Sequence, residues 1–331
     1  MTNYADNRPK GFTLVELMIA MSLSMIILLA AMAIMIASHR SYQMQTDQTY
    51  VQQVSRAVAD FISADLYKVG LGSVAPEDAL TEEDMIFTTE SRNNNNAPDF
   101  LAISASDGGV VYNQAVYTLI KDQVSTISVI PGSLKIFSPN DRLNIFTMDR
   151  VMVATAIVNA NGVDDVNGTL SITVNGIMNS QSATSVSLEV NSLIMQAPNR
   201  VYYGVGGNGI LYRCWSPINT LASCPCAGNC SQIEVAEGVE DFQVSVMLEN
   251  LALKQTVWRN DFDWASSSIE DRKGIKALKI EILIKAPGIH QDFTDSFVYH
   301  LGDRTFSPSL DAVHQLRHHM SMTIHLKNMR Y

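Results

Sequence analysis

The sequence has 331 residues, yet from Phe12 to Val69 it contains neither proline nor glycine. Proline removes a backbone donor and clashes with the preceding turn, and glycine is entropically costly in a helix. A run free of both therefore permits one unbroken helix of up to about 85 Å. Charge is missing too: residues 17–37, 21 in all, carry none. As a helix they would cover about 30 Å, one hydrocarbon thickness, so a transmembrane segment is expected at about 14–37. No small-residue cleavage site follows it, since Ser38, His39 and Arg40 come next, so the apolar helix is expected to be retained.

Basic residues are in short supply, 23 Lys and Arg against 33 Asp and Glu, for a net charge of −10. A phosphate backbone requires clustered cations, so nucleic acid is excluded as a partner, while an acidic exterior suits a secreted head. Arg8 and Lys10 lie before the span and Arg40 after it, an asymmetry that points to a cytoplasmic amino terminus. Everything beyond the span then faces an oxidising compartment. Cysteine is scarce: Cys214, Cys224, Cys226 and Cys230 are the only four, spaced C-x9-C-x-C-x3-C. Zinc knuckles use C-x2-C or C-x4-C pairs, so disulfides are expected instead, with the pairing open except that a Cys224–Cys226 bridge would be strained.

Recognisable catalytic patterns are missing as well. There is no Walker loop, no H-E-x-x-H and no nucleophile, base and orienter set at a legible spacing, so a non-enzyme without cofactors is expected. Gly204, Gly206 and Gly209 fit G-x-G-x-x-G, but strand-like Ile210-Leu211-Tyr212 follows where a dinucleotide site needs a helix amino terminus, so a glycine hairpin is expected. His314 and His318 would share one face of a helix, with His319 and His325 nearby, but further ligands for a tetrahedral metal are lacking. Asn159, Asn161, Asp164, Asp165 and Asn167 make an oxygen-rich turn without the spacing or closing Glu of a calcium loop.

What is present divides the chain in two. Val51, Val54, Val58, Phe61, Ile62 and Leu66 recur at spacings of three and four, a stripe expected to dock the second half of the helix on a core. Gly70 and Gly72 end the helix, and an acidic connection follows. Beyond it, short β-branched and aromatic runs alternate with turns: 100–105, 115–120, 125–130, 143–147, 151–158, 169–174, 186–194, 200–205, 209–214, 239–249, 276–285 and 320–326. Such runs indicate antiparallel sheet, with Asn93–Asn96 in a loop and a short helix expected over 311–319. The fold class is α+β, a helix spine over 12–70 and a β-rich head over 71–331.

Gly11-Phe12-Thr13-Leu14-Val15-Glu16-Leu17, running into the apolar helix, resembles the class III signal of type IV pilins and type II secretion pseudopilins. The resemblance implies a leader over 1–11, cleavage by prepilin peptidase between Gly11 and Phe12, and methylation of the new Phe12 amine. Glycine before the cut fits a peptidase that must hold extended chain beside a helix start. The resemblance also implies that Glu16 faces the amino terminus of a neighbouring subunit during assembly. The bland alternative is a first-turn glutamate favoured by the helix macrodipole.

Asn199–Arg213, reading N-R-V-Y-Y-G-V-G-G-N-G-I-L-Y-R, is similar to PilW-type minor pilins, relatives of the J-type pseudopilins. The same family likeness extends to Glu237–Val244, to Trp264, and to a tail with Leu316-Arg317 and then T-I-x-L-x-N. The mid-helix proline of major pilins is absent, and the cysteine loop has no counterpart in the family pattern. Residues 71–199 agree only in strand pattern. The resemblance implies a structural subunit whose partners are other minor pilins, the major pilin, the inner-membrane assembly platform and a tip adhesin. It would be anchored in the inner membrane with a periplasmic head, and sit in a surface pilus after assembly. A pseudopilin, or an anchored binding or sensor domain that keeps its leader, are the alternatives.

Overall fold

The computed structural model describes residues 12–69, 87–90, 98–105, 109–149, 151–177, 184–216, 231–250, 254–260, 262, 267–310 and 312–326. The leader, the connection after Val69, Asn93–Asn96, Trp264 and three of the four cysteines lie outside these residues. The architecture is α+β: a long amino-terminal helix followed by antiparallel sheets.

Helix α1 runs over Leu14–Leu66, 53 residues or about 80 Å at 1.5 Å per residue. In chain order the strands are β1 (Phe87–Glu90), β2 (Phe100–Ala105), β3 (Val110–Tyr112), β4 (Tyr117–Ile120), β5 (Val124–Ser128), β6 (Arg142–Phe146), β7 (Met152–Asp164), β8 (Thr169–Ile177), β9 (Ser185–Leu188) and β10 (Leu193–Gln196). They continue as β11 (Asn199–Val205), β12 (Leu211–Ser216), β13 (Ser231–Ala236), β14 (Val239–Asn250), β15 (Gln255–Arg259), β16 (Ile275–Ile289), β17 (Tyr299–Leu301), β18 (Arg304–Phe306) and β19 (Gln315–His325), with a short helix α2 (Ile269–Lys273) before β16.

Two sheets build the core on which α1 sits. One has the order β1-β2-β11-β12-β13, the other β15-β14-β16-β19. Val51, Val58, Ile62 and Leu66 of the helix join Leu101, Tyr203, Phe242, Leu278 and Ile280 in one cluster. Each such side chain removed from water contributes roughly 1.5–3 kcal/mol. The stripe is confirmed in its register with one correction: Phe61 is half exposed and only Ile62 of that pair points inward. Phe61 is one residue, about 100°, off the buried face.

Strands β2 and β11 are hydrogen-bonded neighbours, with Ile103 opposite Val201. The chain between them forms a second sheet, β3-β10-β6-β7-β8-β5, and a β4-β9 pair. These have a core of their own, with Leu143, Ile145, Ala156, Ile172 and Ile194 among its members. The run expected over 186–194 is two strands in separate sheets, because the turn at Asn191, whose φ is 64°, redirects the chain between them.

The short helix expected over 311–319 is not formed by its described residues, 312–319. Residues 312–314 form a turn and β19 takes the rest, pairing with β16 from Ala277↔His325 to Ile289↔Gln315. Leu316, Met320, Met322 and Ile324 then fall on the core side with the period of two that a strand imposes. Arg317 points to the other face, where it is buried between Glu240 at 2.6 Å and Asp295 at 3.1 Å. Sheet pairing along a fifteen-residue partner, β16, overrides a weak helical spacing. The glycine motif forms the β11–β12 hairpin, in which Gly206 N donates to Ile210 O and Gly209 adopts φ +73°.

Candidate assembly surface

Helix α1 begins at Thr13, whose hydroxyl accepts a hydrogen bond from Glu16 N at 3.2 Å. The Glu16 carboxylate reaches back to accept from Thr13 N at 3.2 Å, which completes a capping box. The glutamate thus closes its own helix end, in the place where the macrodipole favours a negative group. Phe12 lies immediately before this cap and is exposed.

From Leu14 to Thr46 every residue of the helix is exposed within this chain. This is the one helix among the described residues long and apolar enough to cross a membrane. Leu17, Ile27, Leu28, Ile34 and Met35 show more than half of their surface. Two Ser hydroxyls in the span, Ser22 and Ser24, donate to the carbonyls of Met18 and Ala20 at 2.8 Å, so their polar groups are satisfied inside the helix.

Contact with the head starts just past the span and is polar before it is apolar. Arg40 pairs with Asp292, and Asp47 meets His290 Nε2 at 2.8 Å. Gly288 lies against Asp47 so closely that any Cβ there would displace the carboxylate. At the far end of the helix Asp65 accepts from Arg213 Nε at 2.6 Å and Nη2 at 3.0 Å, and from the Tyr203 hydroxyl at 2.6 Å. The guanidinium in turn lies 5.0 Å from the Trp215 ring centroid. Burial first, and then the Asp65 carboxylate, push the Tyr203 phenol well above the usual tyrosine range. α1 is therefore pinned to β11 and β12 at its end and to the chain after β16 just past its exposed apolar stretch.

The sequence reading missed Asp65, Arg213, Tyr203, Asp47 and His290. A visible signal was a carboxylate at position 65, inside the apolar repeat of the helix, where a charge is tolerated only with a partner. Cys214 is buried on β12, and Cys224, Cys226 and Cys230 lie outside the described residues. His314 sits in the turn before β19 and His318 on the strand, so the shared helix face expected for them does not exist. Among the described residues no group of three or more His, Cys, Asp or Glu is placed to hold a metal. The oxygen-rich turn between β7 and β8 uses its own carboxylates. Asp164 accepts from Val166 N and Asn167 N, while Asp165 accepts from Leu134 N at 2.8 Å.

Residues 6–32 match the family model described as the prokaryotic N-terminal methylation motif. The amino-terminal stretch is of the prepilin type. No curated protein and no solved structure matches the chain. The matched residues span the Gly11-Phe12 junction, Glu16 and most of the apolar helix that is exposed in this chain. The motif and the apolar helix together are consistent with a pilin-like chain processed by prepilin peptidase and anchored in a membrane.

Proposed function

We propose that the protein is a PilW-type minor pilin, a non-catalytic subunit cut after Gly11, methylated on Phe12 and built into a complex that starts or caps a type IV pilus. In this reading it supports pilus biogenesis and twitching motility. The observation that carries the reading is the division of α1. Its first thirty-odd residues are exposed within this chain and meet the head through the Arg40–Asp292 pair, while its last twenty are clamped into the head by apolar packing and buried ion pairs. A helix used only as an anchor would end near the headgroups. This one continues rigidly into the head, so the head's position is fixed to the helix, as packing of helices side by side in a filament requires.

The apolar surface finds lipid before assembly and neighbouring helices afterwards. Glu16 would be the directional element. Its carboxylate caps Thr13 in the isolated chain, one residue from the Phe12 nitrogen that cleavage would turn into a charged amine. In the assembly the carboxylate would also meet the methylated amine of an adjacent subunit, which offsets the desolvation of both. The four cysteines are proposed to form two bridges outside the cytoplasm.

The test is purification of the protein from its own cells in mild detergent, compared with Gly11→Val. Wild type should bring down pilin-type subunits, and the variant should stay in the membrane as an unprocessed precursor without them. A major pseudopilin among the captured subunits would place the chain in a secretion pseudopilus instead. Equal capture by both forms would overturn the assembly reading.

A further inference from the structure

The sheet β15-β14-β16-β19 has two edges of different character. β19 lies beside α1, with Met320, Met322 and Ile324 in the core beneath it. β15 has no strand beyond it among the described residues, and all five of its residues are exposed, Val257 and Trp258 among them. Proteins blunt free edges with lysine, proline or a bulge. Residues 255–259 read Gln-Thr-Val-Trp-Arg, with neither lysine nor proline, and β15 pairs with β14 without a register shift.

Beside this edge is a recess of about 300 Å³ between β15 and α2, lined by Leu248, Gln255, Val257 and Arg259. Its rim carries the carboxylates of Glu249, Glu270 and Asp271; Lys276 lies 3.1 Å from Glu249 and Arg259 3.8 Å from Asp271, which leaves one net negative charge, at Glu270. An open edge offers a row of backbone donors and acceptors that only extended chain can match, and a pocket beside it selects an alternate side chain of that chain. The acidic rim selects a cation. A second copy is disfavoured, because it would bring the same acidic rim and the same net charge of −10.

Resting on the proposed function, we infer that β15 is the docking edge for an extended segment of a different subunit of the assembly. The segment adds as a fifth strand and places a Lys or Arg in the recess beside Glu270 and Asp271. The head then has a specific contact that is independent of the helix packing below it.

The test uses the full chain in its own cells, with p-benzoylphenylalanine placed at position 258 and, separately, at position 27 on the exposed helix. Light should link position 258 to a Lys- or Arg-containing segment of another pilin-type subunit, identified by peptide mass spectrometry. Thr256→Pro should reduce the yield, and Glu270→Lys combined with Asp271→Lys should reduce it about tenfold, while links from position 27 persist. Positions 256, 258 and 270 are exposed and Asp271 is half-buried outside the core cluster, so the core is left untouched, and protease resistance of the head confirms it. Links from position 27 with none from position 258, links only to a second copy, or a yield indifferent to the charge reversal would each overturn the inference alone. Silence at both positions would overturn the assembly reading and the inference together.

Discussion

Asp65→Ala tests how the head is fixed to the helix. The carboxylate is buried and accepts two hydrogen bonds from Arg213 and one from Tyr203. Removing one partner of a buried pair strands the other, at a cost of about 3–5 kcal/mol. The Arg213 side chain keeps 20% of its surface, so water recovers part of this and about 2–4 kcal/mol is expected. That is a large share of a total stability of about 5–15 kcal/mol. Trp215 reports the junction directly, since its ring lies 5.0 Å from the Arg213 guanidinium. In a Trp258→Phe, Trp264→Phe background, its fluorescence should follow urea unfolding of the full chain in micelles, with a lower midpoint for Asp65→Ala. Asp65→Ala with Arg213→Met removes both charges and should recover most of the loss. A single variant within about 0.5 kcal/mol of wild type, or a double variant whose loss is the sum of the two singles, would refute the buried anchor.

Ile62→Ala should cost about 2–5 kcal/mol and Phe61→Ala less than about 1, since only Ile62 is enclosed; thermal unfolding in micelles distinguishes them. Because folding holds the Tyr203 phenol above its ordinary value, the unfolded chain releases that proton first, near pH 10, so stability should be complete below pH 10 and fall as pH rises past it. Tyr203→Phe should flatten this alkaline loss in urea titrations. Glu16→Ala should insert in the membrane with a folded head but give fewer pili and weaker capture of other subunits, in cells lacking the wild-type copy. It also loses the capping box, worth about 1 kcal/mol, so normal piliation would reduce Glu16 to a helix-start residue.

Much of the fold was legible because it rests on local signals. The run without Pro or Gly gave α1 nearly to its observed end, and β2 matches its expected bounds at Phe100 and Ala105. The misses have physical causes. β15 is exposed throughout and shows no apolar alternation, and β13 alternates over only Gln232-Ile233-Glu234-Val235, too short a run to stand out. β19 looked helical because Val313, Leu316 and Met320 mimic that spacing, and only its long pairing with β16 decides otherwise. Residue spacing also could not show that the segment between β2 and β11 builds a core of its own, since the two flanking strands close on each other across nearly a hundred residues. At the candidate site, the amino-terminal elements were legible because their chemistry is contiguous in sequence. The Asp65–Arg213 and Asp47–His290 pairs join residues 148 and 243 positions apart, which no local pattern reveals.

A processed subunit that assembles through its free amine and exposed helix must have lost its leader. Intact-mass and amino-terminal peptide measurement on the protein from its own cells tests it most directly. The chain should begin at Phe12 and carry one methyl group on its amine; a chain that retains Met1 or residues 2–11 would rule out processing at Gly11.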